Sequence, residues 1–431
     1  MKIEIIPSKS NSPRRDGWIR LTEKDFNHYE SFFAKHPDIQ PESVEEIYTK
    51  GVLELIRYPN ILIRHIDWML KKDGKFIVDY CFPKTPFWGY FNKWMAVKYF
   101  IARSFSDDII LTKINVAQYA HAEYLKQRSC LPDGDNIDSW TWGICSNGAK
   151  NENVMALINQ INNFNIPNCE IIVCGPRPAE SLPHNVIVLD DSSIYTEGDI
   201  RFPIGKKKNL IAKSATYNNL IILHDRFSFP ASWYDKMKEY GNYFDMLAFP
   251  VLDVNNPSLH TYDWQNADEF NPLNPVNLNH VPAYSIINEY VYINGGIFVC
   301  KKHIYQELQI PYKLNWDEME DIAFSRRLMQ NGNTLSIDTN NNVFSTTHRM
   351  STVGEPSLYP VKKTLRQRIM QKREFYFMIH KTKKEYNLYI NSNVFSFDLF
   401  ELKWVIYRCL NFLCNNTFYA KSSNLIKSVV K

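Results

Sequence analysis

Three polar residues, His224, Asp225 and Arg226, directly follow the apolar run LIIL. When a buried strand ends in such residues, imidazole and carboxylate can ligate a divalent metal, and guanidinium can pair with phosphate. The basic segment KKKN ahead of the strand includes Lys208 and Asn209. A lysine there can meet a pyrophosphate that the metal bridges, so the pattern indicates a metal and phosphate site. The alternative is a strand that simply ends at the surface.

A second group of polar residues is acidic. Asp317, Glu318, Glu320 and Asp321 fall in the first turn of a helix predicted within LNWDEMEDIAFSRRLMQNG. Carboxylates at a helix start complement the helix dipole, which is worth about 0.3–1 kcal/mol for each. Four acids within five positions exceed what that role needs. The pair Glu320 and Asp321 can supply a general base and a group that holds a hydroxyl.

Two further features lie at 292–302 and near residue 348. Gly295 and Gly296, within YINGGIFVCKK, present backbone without side chains, which lets a ligand approach closely. His348 follows the β-like run VFSTT. A single histidine is more often structural than a ligand. Here imidazole suits Mn²⁺-like ions, and the triplet alone offers too few ligands, so His348 is a candidate metal ligand.

The elements that must position these residues begin near residue 140. Buried strands are predicted at TWGIC, CEIIVC, NVIVL and LIILH, and amphipathic helices at NENVMALINQINNF and KKKNLIAKSATY. Apolar runs separated by helices indicate a parallel α/β sheet. Ligands of such sheets bind at the carboxyl ends of the strands. That edge is expected to carry Ser146, Asn147, Gly175, Asp190, Asp191, His224 and Asp225.

Length and composition set the broad class. With 431 residues, 45% of them hydrophobic, the chain can form two or three domains with sizeable cores. Residues 131–139 have the polar, Gly- and Pro-containing composition of a linker. Eight cysteines without a C-x-x-C pair favour a reduced, cytoplasmic protein. The N-terminus lacks a signal-peptide pattern, and the apolar stretch 397–414 carries four charged residues, so neither secretion nor a membrane span is predicted.

Basic charge is concentrated at one end of the chain. Residues 361–431 hold 14 Lys and Arg against 4 Asp and Glu, a net charge of +10, whereas the preceding residues have a net charge of −6. A basic, aromatic-rich helical region suits adsorption to an anionic membrane surface. A solvated helix packed on the main body is an equal alternative. No nucleic-acid partner is predicted, because no recognised binding motif accompanies the charge.

The order of these motifs resembles that of a GT-A-fold glycosyltransferase of the family 2-like kind, over residues 140–355. The resemblance implies a Rossmann-like mixed α/β sheet that binds a nucleotide-sugar. It implies that Asp321 is the base and that Glu320 positions it. The donor-binding residues that it implies are Ser146, Asn147, Lys208, Asn209, Asp225, Arg226, Gly295 and Gly296. Its metal ligands, for Mn²⁺ or Mg²⁺, are His224, Asp225 and His348.

One departure from the family pattern concerns the metal. The D-x-D triplet of the family has become His224-Asp225-Arg226. A guanidinium cannot ligate a cation, so Arg226 is expected to replace part of the charge of the metal by pairing with phosphate. Metal dependence is therefore an open question for this chain.

Residues 1–130 are similar in order to small class I methyltransferases, through KIEII, GW, IQPESVEEIYTKGVLELI and HIDWMLKKDGKFIVDY. The glycine-rich loop of those enzymes is missing, and Pro7-Ser8-Lys9-Ser10 stands in its place. Side chains there would obstruct the approach of the backbone to S-adenosylmethionine. We therefore expect a small, degenerate α/β domain of this kind that binds no S-adenosylmethionine.

The resemblance implies transfer of a sugar from a nucleotide-sugar donor to a hydroxyl of a glycan or glycolipid acceptor. We expect the transfer to invert the anomeric centre of the sugar. The expected pathway is the biosynthesis of a cell-surface polysaccharide such as lipopolysaccharide or capsule. The expected location is the cytoplasm, with residues 356–431, a basic helical region, resting on the inner face of the membrane. The alternative is a catalytically inactive glycan-binding or scaffold protein of a polysaccharide assembly complex. Retention of the Glu-Asp pair, Gly295-Gly296 and His348 favours the enzyme.

Overall fold

The computed structural model describes residues 1–26, 31–52, 59–79, 109–115, 121–195, 203–255, 257, 264–266, 291–310 and 320–346. These residues form a mixed α/β structure, as the sequence predicts, with two separate main sheets. The predicted basic region 356–431, with its proposed membrane contact, lies outside the described residues. Among the helices described, none has the length and apolar character needed to cross a membrane.

The N-terminal sheet has six strands in the order β2-β1-β3-β4-β6-β5. Their bounds are β1 Lys2–Ile5, β2 Ile19–Leu21, β3 Val44–Lys50, β4 Leu70–Asp79, β5 Ile109–Asn115 and β6 His121–Lys126. Strands β1 to β4 are parallel, whereas β6 is antiparallel to both β4 and β5. Helices α1 (Phe32–Lys35) and α2 (Pro59–Met69) and a 3₁₀ turn (Glu23–Phe26) accompany it. Aliphatic residues that alternate along β1 and β3 bury one core with α2.

The connection from β1 to β2 bears on the cofactor prediction. Parallel strands need a crossover, which is usually a helix. Residues 6–18 make that crossover without any helical turn. Ser8 instead donates a backbone hydrogen bond of 2.7 Å to Glu23, and the Arg15 guanidinium stacks 3.7 Å from the centre of the Tyr48 ring. The strand-to-helix turn on which a dinucleotide-type ligand would rest is therefore absent from this segment.

The second sheet has seven strands in the order β17-β12-β16-β10-β7-β8-β9. Their bounds are β7 Ser139–Cys145, β8 Asn168–Cys174, β9 Val186–Leu189, β10 Asn219–His224, β12 Met246–Ala248, β16 Ile297–Lys301 and β17 Leu335–Ile337. All neighbours are parallel except β16, which is antiparallel to β10 and β12. The predicted strands TWGIC, CEIIVC, NVIVL and LIILH are confirmed as β7, β8, β9 and β10.

Helices cover both faces of this sheet, as nearly continuous apolar strands require. They are α3 Asn151–Asn163, α4 Ile204–Ser214, α5 Trp233–Tyr240, α6 Lys302–Leu308 and α7 Glu320–Gln330. Alternate residues of β10 divide between the two faces. Leu220 and Ile222 pack in the core that includes residues of α4, α6 and α7, whereas Ile221 and Leu223 pack in the core that includes residues of α3 and α5.

Short strands and one turn complete the described structure. β11 (Phe227–Ser228), β13 (Val251–Asp253) and β18 (Val343–Ser345) form a small sheet. β14 (Trp264–Asn266) pairs with β15 (Val291–Ile293), and a 3₁₀ turn spans Ser192–Ile194. The small sheet joins the segment after β10 to the segment that ends at residue 346, because β11 pairs with β18.

Buried charges connect the two main sheets. Arg64 on α2 donates to Asp245, next to β12, at 2.8 Å, and to Asp67 at the same distance. Asp245 also accepts the backbone N–H of Thr334 at 2.8 Å. These carboxylates raise the pKa of the Arg64 guanidinium against the opposing effect of burial. Removing one partner would leave a buried charge without compensation, so the contact fixes α2 against the second sheet.

The segment predicted as a linker is part of this junction. Asp135 accepts a hydrogen bond of 3.0 Å from Nζ of Lys301, and Asn218 and Asn242 also donate to its carboxylate. Asp138 accepts from the hydroxyl of Tyr234. The segment connects β6 with β7, as the linker prediction implies, and it is bound to the second sheet through Asp135 and to α5 through Asp138.

Candidate functional site

The candidate site lies where the strand order of the second sheet reverses direction. From β7 the chain proceeds to β8 and β9 on one side, whereas β10 lies on the other side. Crevices at such switch points, outside the carboxyl ends of the strands, are where open α/β sheets bind ligands. Ser146 follows β7 and Asp225 follows β10. The hydroxyl of Ser146 donates to Oδ2 of Asp225 at 2.9 Å, so the two predicted donor-binding residues meet at this point.

The segment Gly295-Gly296 touches the His-Asp-Arg triplet on one side. The backbone N–H of His224 donates to the carbonyl of Gly296 at 2.9 Å. A methyl group built on Gly296 would lie 2.7 Å from Nη2 of Arg226. The guanidinium also lies over the Phe227 ring, 5.1 Å from its centre, and the Arg226 carbonyl accepts the N–H of Thr346 at 2.9 Å. The triplet is thus fixed by backbone contacts on both flanks.

The same segment touches the acidic pair on its other side. A methyl group built on Gly295 would lie 2.7 Å from Nζ of Lys208, 3.0 Å from Cβ of Asp321 and 3.1 Å from Oε1 of Glu320. Gly295 and Gly296 are consecutive, so about 3.8 Å of backbone separates their Cα atoms. The acidic pair and Arg226 therefore converge on one short stretch of glycine backbone. A side chain at either position would have to displace the end of Lys208 or of Arg226, so glycine suits both positions.

Glu320 and Asp321 differ in their surroundings although they are neighbours. Glu320 is buried and forms an ion pair of 3.2 Å with Nζ of Lys208, which is itself fully buried. Burial raises the pKa of Glu320, and Asp321 adds to the rise, whereas Lys208 opposes it. Asp321 is half-buried. Its Oδ2 accepts the N–H of Gly295 at 3.0 Å, and its Oδ1 accepts the N–H of Ile322 at 2.8 Å.

These contacts suit different roles for the two acids. The two backbone donors fix the orientation of the Asp321 carboxylate, and its partial exposure leaves it accessible to a substrate. Glu320 is enclosed between Lys208 and the helix start, so it can hold its neighbours in place but has little access to a ligand. A base must lie within hydrogen-bond reach of the proton that it removes.

Two predicted donor-binding residues have other contacts. The side-chain amide of Asn209 donates to the carbonyl of Ile310 at 2.6 Å. Its oxygen accepts the backbone N–H of Ile310 and the hydroxyl of Tyr305, each at 3.1 Å. Asn209 is thereby bound within the protein and ties α4 to the segment after α6. Asn147 is exposed and accepts the N–H of Ala149 at 3.0 Å. The structure brings neither side chain into contact with the acidic pair or Arg226.

The predicted metal ligands are only partly within the described structure. His224 and Asp225 end β10, but His348 lies outside the described residues, as do Asp317 and Glu318. In the part of the chain that is described, no group of three His, Cys, Asp or Glu residues is arranged to hold a metal ion.

The sequence analysis missed Lys207. Its ammonium contacts three consecutive strand ends at the carboxyl edge: the carbonyls of Ser146 and Cys174 and the carboxylate of Asp191. The run KKKN gave a signal for a basic helix start, but spacing alone does not say which of three lysines faces the sheet. The apolar residues at 204, 211 and 212 favour Lys207 and Lys208 over Lys206 as the buried lysines, but they do not distinguish between the two.

No protein-family model matches the chain, and no curated protein matches it. Among solved structures, S. aureus TarS 1–349 is 11% identical with a TM-score of 0.34, over 64% of this chain and 80% of that one. GalNAc-T7 with UDP, GalNAc and Mn²⁺ is 13% identical with a TM-score of 0.39, over 64% of this chain and 58% of that one. A longer S. aureus TarS is covered over only 37% of its length. Likenesses at such TM-scores carry no argument about mechanism or substrate.

Proposed function

We propose that this chain is a glycosyltransferase. It transfers a sugar from a nucleotide-sugar donor to a hydroxyl of a glycan or glycolipid acceptor. The observation that carries the proposal is the convergence of the Glu320-Asp321 pair and Arg226 on Gly295-Gly296. This arrangement places a fixed, accessible carboxylate and a guanidinium beside two consecutive glycines, near the switch point of an open α/β sheet. The two groups meet the two needs of the reaction, a base for the acceptor and positive charge for the leaving diphosphate.

In the proposed reaction Asp321 takes the proton of the acceptor hydroxyl. The acceptor oxygen then forms a bond to the anomeric carbon, while the bond from that carbon to the diphosphate oxygen breaks. The electron pair of the broken bond leaves with the nucleoside diphosphate, and Arg226 offsets the charge that develops there. Attack from the face opposite the leaving group inverts the anomeric centre. Glu320 and Lys208 hold the start of α7 and Gly295 in register for this geometry.

The proposal also includes a place for a divalent metal. Mn²⁺ or Mg²⁺ would be held by His224, Asp225 and His348 and would supply Lewis-acid charge to the diphosphate. The described part of the chain provides only two of these groups, and Oδ2 of Asp225 already accepts the Ser146 hydroxyl. In the proposed reaction Arg226 therefore carries the charge compensation.

The direct test is a screen of nucleotide sugars for release of nucleoside diphosphate, with and without Mn²⁺. Native protein is expected to release one nucleoside diphosphate in the presence of an acceptor. Asp321→Asn is expected to lower kcat by about 100-fold or more, within the range for loss of a general base. Asp235→Asn, an exposed carboxylate on α5, is the matched control and should leave kcat unchanged. Transfer near the native rate by Asp321→Asn would show that the base is misassigned.

A second candidate function is a non-catalytic glycan-binding or scaffold protein. The observation in its favour is Arg226 in place of the second aspartate of the family triplet. A decayed site has no need to keep Asp321 oriented by two backbone donors or to exclude side chains at 295 and 296. Glycan binding by native protein without release of any nucleoside diphosphate would favour the scaffold.

We also propose that the N-terminal sheet is a methyltransferase-like domain that binds no S-adenosylmethionine. Its support is the run of parallel strands that ends in an antiparallel pair, together with a β1–β2 crossover without a helix. Calorimetric titration of native protein with S-adenosylmethionine is expected to show no heat of binding, and a saturable signal would contradict the proposal.

The proposed setting is cell-surface polysaccharide biosynthesis, such as that of lipopolysaccharide or capsule, at the inner face of the membrane. Its support is the charge of residues 361–431. Sedimentation with vesicles containing an anionic lipid, lost in vesicles of neutral lipid and at high salt, is the expected result.

A further inference from the structure

We propose that Lys207 is the positioning residue for the nucleotide end of the cleft. This inference deepens the proposed function and rests on it. In the site described above, Asp321 marks the end of the cleft where the acceptor reacts. The donor therefore extends away from Asp321, over the switch point at Ser146 and toward the ends of β8 and β9. Lys207 is the cation beneath that part of the sheet edge.

Three contacts define the position of the Lys207 ammonium. Nζ donates to the carbonyl of Ser146 at 2.6 Å and to the carbonyl of Cys174 at 3.4 Å, and forms an ion pair of 2.5 Å with Oδ2 of Asp191. The three acceptors follow or end the consecutive parallel strands β7, β8 and β9. An ammonium has three N–H donors, so these acceptors match its whole capacity. Lys207 is fully buried, and it serves the strand ends instead of reaching a phosphate.

The backbone of Gly175 lies close to both the Ser146 carbonyl and the Lys207 ammonium. Gly175 follows β8 with a φ of +148°, which favours glycine. A methyl group built there would lie 2.2 Å from the carbonyl oxygen of Ser146 and 3.6 Å from Nζ of Lys207. The ends of β7 and β8 therefore approach too closely for any side chain at 175. Lys207 neutralises the carbonyl dipoles that this approach brings together.

Asp191 is the group through which Lys207 acts on a ligand. Its carboxylate is mostly buried, and the Tyr195 hydroxyl also donates to Oδ2 at 3.3 Å. With Oδ2 held by a cation and a hydroxyl, the orientation of the whole carboxylate is set. Removal of the ammonium would leave a buried anion without its cation and would release three strand ends at once. The predicted loss is in nucleotide binding and not in the chemical step, because none of these contacts involves Asp321 or Arg226.

The test uses equilibrium binding of four probes, UDP, GDP, ADP and CDP, to the full chain by calorimetry. For whichever probe binds native protein, Lys207→Met is expected to raise Kd by about tenfold or more. Lys213→Met, an exposed lysine on the same helix, is the matched control and should stay within about twofold. In turnover with the active donor, Lys207→Met should raise KM by a similar factor and leave kcat within about threefold. A merely structural defect would lower the active fraction, and so kcat, without that rise in KM.

A double-variant cycle makes the test sharper. Asp191→Asn removes the carboxylate charge but keeps an oxygen, and it should weaken binding in the same direction. Combining it with Lys207→Met should cost no more than the more harmful single change, because the two residues act as one unit. Unchanged Kd in folded Lys207→Met, or strictly additive effects, would overturn the inference. If Lys207→Met fails to fold, unchanged binding by Asp191→Asn would overturn it.

The outcomes also separate this inference from the proposed function. If native protein binds a probe but transfers no sugar, the proposed transferase activity fails, while the effect of Lys207 on binding is still measured. If native protein binds none of the four probes and transfers no sugar, both are wrong. If transfer occurs and Lys207→Met has native KM, only the positioning role is wrong.

Discussion

Gly295→Ala is the substitution that tests the geometry of the site most directly. The added methyl group would lie 2.7 Å from Nζ of Lys208 and 3.0 Å from Cβ of Asp321. Ordinary van der Waals contact begins near 3.4 Å, so one group must move by about 0.7 Å. Gly295 does not have a positive φ, and alanine therefore adds no backbone strain there. The effect of the substitution is steric, and it falls on the acidic pair.

The magnitude follows from how little space the neighbours have. Lys208 is fully buried and paired with Glu320, so its ammonium cannot move to solvent and must lengthen the 3.2 Å ion pair. Overpacking of this kind costs about 1–3 kcal/mol of folding free energy. The effect on activity should be larger, because a displacement of about 1 Å at a catalytic group can cost about 100-fold. That factor corresponds to about 2.7 kcal/mol in the activation free energy.

The assay is release of nucleoside diphosphate under saturating donor, with thermal unfolding measured in parallel. Gly134→Ala serves as the control, since its φ of +80° makes alanine strained but no atom lies within 4 Å of the added methyl. It should lose about 1 kcal/mol of stability without loss of kcat. If Gly295→Ala keeps a native kcat, the acidic pair and the glycine backbone do not cooperate in the reaction, and the proposed site is wrong.

Two further predictions concern stability. Burial raises the pKa of Asp338 from 3.8 to about 6, because the buried carboxyl is more stable when it is protonated. The resulting stability of the folded protein is fully present below pH 3.8 and is lost as the pH rises through 6. As the pH rises from 4 to 7, the free energy of unfolding of Asp338→Asn should increase relative to that of native protein by on the order of 2–3 kcal/mol, measured by thermal unfolding. A difference between the two proteins that stays constant with pH would contradict this prediction. Arg64→Met leaves Asp245 buried without its cation and should cost about 3–5 kcal/mol in urea unfolding. Lys71→Met is the control: it removes an exposed ion pair with Glu45 and should lower the free energy of unfolding by less than about 1 kcal/mol. An equally small loss for Arg64→Met would show that the domain junction depends on other contacts.

The sequence predicted the second sheet well because its central strands are buried on both faces. Apolar runs such as those of β7 and β10, when helices separate them, indicate buried strands of a parallel sheet. The switch point then follows from the strand order, but that order is itself a long-range property. The sequence of residues 297–301 alone does not indicate that β16 lies between β10 and β12 and is antiparallel to both.

Side-chain direction was the main limit for the site. Lys207 and Lys208 are adjacent and chemically equal in the sequence, yet one meets the ends of β7, β8 and β9 and the other meets Glu320. Asn209 shows the same limit, since a buried amide is as suitable for closing a backbone segment as for binding a ligand. Motif spacing gives the helix on which a residue lies, but the packing of that helix decides what the residue touches.

Composition predicted the connection at 131–139 but not its contacts: residues without helix or strand do join β6 to β7 there. A polar segment with Gly and Pro has the same composition whether it is a flexible linker or a bound connection. The partner that binds Asp135, Lys301, lies more than 160 residues further along the chain. Its identity depends on β16 lying beside β10, so no local pattern could reveal it.

The charge of the site gives a physical reason for the altered triplet. Lys207 and Lys208 are buried and already face Asp191 and Glu320, so within the protein their charges are largely offset. A diphosphate that enters the cleft therefore needs another source of positive charge. An aspartate at 226, as in the D-x-D triplet that this sequence resembles, would instead add a negative charge. Arg226 reverses the sign at that position and lies beside Gly296, where the backbone is bare. In the proposed reaction, Arg226 therefore neutralises the leaving group in place of a metal while Asp321 is kept as the base, which favours the enzyme over the scaffold.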